Sequence, residues 1–363
     1  MDTIGNIPLF LYGVVQRVNY NIRSKKRQPT NTFNNNEIAN IILTKNGHSK
    51  HLESNIVGKL FILRDGNSKG ESINNWIKTY GKQFKYVFIF DSDSDVQDKN
   101  YVNCIKYFKP TDAWIQTTIK ATRGVFSKDT ITFFKNNPEN FISCGHNVVY
   151  KTEVLLNNKF DEETGEDFLM SIRLWKKGYT SYLADTITYE ENPLRFKDYV
   201  KREIKWSSFE VKYIKKLKDV WTAKVLTIQN KLNLSFLFLR STISVLITVL
   251  LLTTLILNLP VNNLFFLMFL LFAIIPTSSL LMIILSLPLN VLTSIGFISG
   301  IFSKSKNRVI TENIENHYKK ELYISYFLLI VILLMNCVDI LSKRIYSYPF
   351  YLYVILSISL FLF

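Results

Sequence analysis

Read from its N-terminus, the chain shows short apolar runs separated by polar turns, followed by long apolar runs with few polar interruptions. IANIIL (38–43) and KLFILRD (59–65) have the length and content of strands, and the second is closed by the turn formers Asp65, Gly66 and Asn67. SINNWIKTYGKQF (72–84) places Ile73, Trp76, Ile77 and Tyr80 at helical spacing. YVFIF (86–90) is continuously apolar, the pattern of a central strand covered on both faces. A helix around 98–107 and a strand AWIQTTI (113–119) continue an alternation that predicts an α/β layered fold. Farther on, Phe168, Ile172 and Trp175 share one face of a helix that begins near Glu166.

The C-terminal part reads differently, because 63 consecutive residues between Arg240 and Lys304 carry no charge. A bilayer span needs about 20 apolar residues at about 1.5 Å each. Four windows reach that length, 236–257, 264–286, 322–340 and 346–363, while VLTSIGFISGIF (291–302) reads as a further buried segment or one lying in the interface. The pattern predicts three regions: a basic, Asn-rich N-terminal segment (1–58), a polar domain (59–230), and a transmembrane region of about four helices (231–363).

The net charge of +15 changes this picture only through its distribution. Lys212, Lys215, Lys216, Lys218, Lys224 and Lys231 precede the first window, and Lys304, Lys306, Arg308, Lys319 and Lys320 precede the third. Such clusters suit anionic headgroups and the positive-inside bias, so the expectation is an integral membrane protein with its polar domain on the cytoplasmic side and membrane lipids as partners. Arg240, near the start of the first window, is placed to snorkel to the headgroups. Nucleic acid is not expected as a partner, because Trp76 and Tyr80 fit helix packing better than base stacking. A transporter is not expected, because the four windows offer little for coupling, Asp339 being their one acid. Cys104, Cys144 and Cys337 are too widely spaced for a metal pair or a disulfide framework.

Candidate chemistry lies in two acidic stretches. FIFDSDSD sets Asp91, Asp93 and Asp95 at the open end of the central strand, and open α/β sheets bind ligands at the carboxyl ends of their strands. Crowded carboxylates repel, and a divalent cation, Mg²⁺ or Mn²⁺, relieves that cost while holding a diphosphate; Asp91 and Asp93 are the expected pair. The second stretch, FDEETGEDFLMSIRLWKKGY (160–179), puts Glu166 and Asp167 in a first helical turn. The helix dipole rewards an acid there by a few tenths to about 1 kcal/mol. That accounts for one acid but not for Asp161, Glu162, Glu163, Glu166 and Asp167 together.

The pieces LRDGNSKGESINNW, YVFIFDSDSD, SCGHNVVYK, GEDF with SIRLWKKGY, and TYEENPLRFKDYVKREIKW follow one another in an informative order. That order resembles the inverting, membrane-bound family 2 glycosyltransferases, and most of all the bacterial glucosyltransferases of periplasmic glucan synthesis within the cellulose synthase-like superfamily. The resemblance covers about residues 59–230 and then the apolar windows. It implies a GT-A, Rossmann-like nucleotide-diphospho-sugar transferase domain, with residues 1–58 supplying part of the nucleotide site. The implied activity is transfer of a hexose, glucose by the nearest pattern, from a UDP-glucose-like donor to a growing glycan or lipid acceptor. Asp91 and Asp93 then hold the metal and diphosphate, Asp167 with Glu166 beside it supplies the general base, and Lys69 touches the nucleotide or its phosphates.

By the same resemblance Gly145, His146 and Asn147 line the acceptor side, although His146 taken alone reads as a loop histidine. KREIKW (201–206) matches the family's Gln-x-x-Arg-Trp in part. Arg202 stands for the Gln and Lys205 for the Arg, both expected near the departing diphosphate, while Trp206 is in place to stack on an acceptor sugar. Lysine supplies charge there without arginine's rigid fork. Trp114 and Gln116 are read as bordering the sugar pocket, and Glu190 and Glu191 either as positioning residues or as surface acids. The front departs from the pattern, since Asn46 or His48 stands where an acid is expected after the strand at 39–49. From that departure comes a second reading, a catalytically degenerate scaffold that works with a partner subunit.

Overall fold

The structure is a computed structural model and describes residues 26–44, 55–64, 68–123, 138–162, 165–191, 196–256, 286–302, 323–324, 326–332 and 334. In chain order the strands are β1 (Ile38–Thr44), β2 (Lys59–Arg64), β3 (Tyr86–Asp91), β4 (Ser94–Asp95), β5 (Asp112–Arg123), β6 (Val148–Lys151) and β7 (Thr180–Glu191). The α-helices are α1 (Lys69–Tyr80), α2 (Thr152–Asn157), α3 (Glu166–Lys176), α4 (Phe196–Ile214), α5 (Leu217–Thr222), α6 (Ile228–Ile256) and α7 (Ser286–Phe302). The strands form one sheet in the order β2-β1-β3-β6-β5-β7-β4. β1 is parallel to both β2 and β3, β6 is antiparallel to β3 and β5, and β5 runs parallel to β7.

The continuous apolar runs become central strands because both of their faces are covered. Ala39, Ile41, Leu43, Val87 and Ile89 pack with Ile73, Trp76 and Ile77 of α1, while Ile38, Ile42, Phe88 and Phe90 pack with Tyr101, Val102 and Ile105 of a 3-10 helix, Lys99–Tyr107. Asn40 is the polar exception in β1. Its amide donates to the Val57 carbonyl at 2.8 Å and accepts from the Tyr101 hydroxyl at 2.7 Å, which satisfies it without water. β2, at the sheet edge, is partly exposed and carries Lys59 and Arg64 at its ends, charges that discourage edge pairing. The stretch that precedes β1 is tied to the sheet by Arg27, whose buried guanidinium pairs with Asp112 and Glu139 and lies 4.4 Å over the Tyr182 ring.

The C-terminal part corrects the membrane expectation. No helix among the described residues is long and apolar enough to cross a membrane, so the C-terminal transmembrane region, the membrane-bound character implied by the resemblance, and the integral placement with a cytoplasmic catalytic face are set aside. The window 236–257 falls largely in α6, which is polar where it meets α4 and α7. Arg240 does not snorkel; it binds Glu210 at 2.7 Å and approaches Glu203 at 3.4 Å, and Glu210 also accepts the Ser241 N–H at 2.8 Å. Ser244 and Thr248 are buried on the same helix, and Thr248 bonds Ser294 of α7 at 3.0 Å. The stretch 291–302 lies in α7, packed on α4. The windows 346–363 and nearly all of 264–286, like the basic loop 304–321, lie outside the described residues, and 322–340 is described only in pieces.

The α4–α7 seam depends on glycine. A Cβ on Gly296 would stand 2.2 Å from Ser207 Oγ and 2.7 Å from the Ile204 carbonyl oxygen. Gly296→Ala is therefore expected to lower stability by about 1–3 kcal/mol, the usual range for overpacking, read as a shift in the denaturation midpoint.

Candidate active site

Three strand ends and two helix starts converge. Ser68 caps α1 by accepting the Glu71 N–H at 3.0 Å, which places Lys69 in the first turn. Its ammonium, 11% exposed, donates to Asp91 Oδ1 at 2.5 Å, at the carboxyl end of β3. Burial alone would lower the Lys69 pKa, but Asp91, Glu166 and Asp167 outweigh it and hold it above the ordinary value. Asp91 N–H donates to Ser94 Oγ at 3.1 Å, which closes the turn carrying Asp93. β7 grips the far side of that turn: Ser94 pairs with Glu190, Asp95 with Tyr189, and Glu191 N–H donates to the Asp93 carbonyl at 3.1 Å. Burial, with the charges of Asp91 and Glu190, pushes the Asp93 carboxyl up to about 6.

The Gly-His-Asn stretch lies beside this turn and is held from beneath. Gln116 accepts the Cys144 N–H at 2.9 Å and donates to the His146 and Asn147 carbonyls at 3.0 and 2.8 Å. Gly145 (φ 76°) and Asn147 (φ 52°) are both left-handed, a conformation that glycine and asparagine tolerate best, and they present His146 between them. His146 Nδ1 donates to the Cys144 carbonyl at 2.9 Å and lies 3.8 Å from Asp91 Oδ2, while Nε2 donates to Glu190 Oε2 at 2.9 Å. Burial opposes a charged ring, but Glu190 and Asp91 prevail and raise His146 to about 10.

Gly145 also lies flat against the second acidic stretch. A Cβ there would come within 2.8 Å of Asp167 Oδ2. Asp167 stands beside Glu166 in the first turn of α3, and its Oδ1 accepts the Phe168 N–H at 2.9 Å. Burial first and the Glu166 charge second push its carboxyl up to about 7, against the pull of Lys69 and His146. Asp91, Asp93, Lys69, His146, Glu166 and Asp167 thus lie in one cluster. α4 carries the remaining expected residues, Arg202, Lys205 and Trp206. Arg202 lies 4.8 Å over the ring of Trp206, which is 41% exposed, and its charge reaches Glu190.

Two sequence readings change. Trp114 is wholly buried, donating to the Phe141 carbonyl at 3.1 Å, and Gln116 is wholly buried as the support of the 144–147 loop, so neither presents a face to a sugar pocket. Glu190, left open by the sequence, is drawn into the cluster through His146. Its only sequence signal was the pair of acids in TYEENP.

The acids suit a divalent cation. Asp91 and Asp93 share one turn with Glu190 of β7 close by, and no group of three or more His, Cys, Asp or Glu among the described residues could by itself hold a metal ion. Two carboxylates that leave the remaining positions to water and substrate phosphates are the usual protein share of a Mg²⁺ site.

A sequence model described as "Glycosyl transferase family group 2" matches residues 90–362, a range that takes in the acids after β3, the Gly-His-Asn loop, GEDF and α4. The chain belongs to this glycosyltransferase family. Among solved structures it is similar to "Mannosyltransferase PcManGT from Pyrobaculum calidifontis in complex with GDP-Man and Mn2+", with a TM-score of 0.55 and 12% identity over 84% of this chain and 97% of that chain. At that identity the likeness concerns the fold. No curated protein sequence matches the chain.

Proposed function

We propose that the chain transfers a hexose from a nucleoside-diphosphate donor to a saccharide or lipid hydroxyl, with inversion at the anomeric carbon. The carrying observation is Lys69: it bonds Asp91 on one side and is held charged by Glu166 and Asp167 on the other, so the metal acids and the base share one small space. Asp167, poised near neutrality, removes the acceptor proton as that oxygen attacks the anomeric carbon and the bond to the diphosphate breaks. Mg²⁺ or Mn²⁺ held by Asp91 and Asp93 supplies charge neutralisation at the diphosphate. Lys69 and His146 flank those acids, 2.5 and 3.8 Å from Asp91, so in this reading His146 serves the donor side. Gly145 and Asn147 shape the loop, Arg202 and Lys205 supply positive charge near the departing diphosphate, and Trp206 borders the acceptor route. The intact acid set favours this reading over a degenerate scaffold dependent on a partner subunit.

UDP-glucose is the first donor to test, on the order of the motifs, and GDP-mannose the second, because the structural neighbour holds it. Calorimetry with each, with and without Mn²⁺, is expected to give metal-dependent heat with at least one. Failure of both, together with failure of other nucleotide sugars, returns the scaffold reading.

A further inference from the structure

Glu190 has a place in this cluster that the assigned roles do not use. It lies near the end of β7, and its carboxylate, 22% exposed, accepts from His146 Nε2 at 2.9 Å. The imidazole is thereby held at both ends, since Nδ1 donates to the Cys144 carbonyl at 2.9 Å, and it lies 3.8 Å from Asp91. The backbone of the same residue pairs with Ser94, and the next N–H binds the Asp93 carbonyl at 3.1 Å. One strand end thus grips the acid turn through its main chain and the facing histidine through a side chain.

We propose that Glu190 is a positioning residue: it locks the His146 ring against the Asp91–Asp93 turn, so that the groups meeting the donor diphosphate are assembled before the donor arrives. This rests on the reading of Asp91 and Asp93 as the metal acids. Its physical basis is that ordering these groups in advance removes an entropic cost from binding. Groups that orient metal-site residues from behind typically contribute about 10–100-fold in metal affinity or activity.

Selective ¹⁵N-histidine labelling gives at most four side-chain environments, because the chain has four histidines. A ring N–H signal slow to exchange, assigned by its loss in His146→Ala, is expected in the metal-free protein. It should vanish in Glu190→Ala and shift but persist in Glu190→Gln, which keeps an acceptor without the charge. In the second arm, Mn²⁺-dependent binding of UDP-glucose or GDP-mannose is measured by calorimetry. Glu190→Ala and His146→Ala should each weaken it by about 10–100-fold, and the double variant should be no worse than the poorer single one. An unchanged His146 signal in Glu190→Ala, or losses that multiply in the double variant, overturns the proposal. If the unmodified protein binds neither these donors nor other nucleotide sugars the functional reading fails, while the histidine signal still decides the role of Glu190. Should Glu190→Ala not fold, Glu190→Gln and His146→Ala carry the same comparison.

Discussion

Asp167→Asn is expected to cut transfer by about 10²–10⁴-fold while leaving metal-dependent donor binding in place, since general-base catalysis is worth about that much. Unmodified, kcat/KM should rise with pH through about 7, because only the ionised carboxylate accepts the proton. The same substitution should stabilise the fold. The folded state holds the Asp167 proton more tightly than the unfolded chain does, with the carboxyl moved from 3.8 to about 7. Between those values the folded protein binds more protons, so this group's contribution to stability is lost as pH rises. At pH 8 asparagine removes that cost, a gain of up to about 4 kcal/mol that disappears below about pH 4, where the acid is protonated in both states. Thermal melts at the two pH values measure it. Normal transfer by Asp167→Asn places the base elsewhere.

Asp91→Asn carries the second large effect. A metal contact supplies several kcal/mol of charge stabilisation in the transition state, so its loss is expected to lower transfer by roughly 10²–10³-fold. Mn²⁺ titration followed by electron paramagnetic resonance should show weakened binding independently of turnover. Lys69 loses its nearest negative charge in this variant, and the Asp93 carboxyl, relieved of a neighbouring charge, should titrate lower than about 6. Retained Mn²⁺ binding with full transfer removes Asp91 from the metal site.

The acid turn was legible in the sequence because its signal is local: a strand apolar on both faces stops at Asp91, and the alternation around it places that stop at a sheet end. The same locality made α1 and α3 readable from the spacing of Ile73, Trp76 and Ile77, and of Ile172 and Trp175. The described C-terminal helices were misread because a window free of charge reads as oil, although Ser244 and Thr248 of α6, and Gly296 and Gly300 of α7, recur at the four-residue spacing that makes a helix-to-helix seam. What such residues face is decided by another helix. His146 and Glu190 are 44 positions apart, and the folded sheet, in which β5 pairs with both β6 and β7, brings them together. Gln116 shows the converse error, where a polar side chain in a strand was read as reaching outward but supports the backbone beneath the loop.

The clamp of Arg240 on Glu203 and Glu210 fastens one side of α4. Arg202, Lys205 and Trp206, spaced by three and four, project from a different side. Substitutions at those three positions can therefore leave the mount of α4 undisturbed.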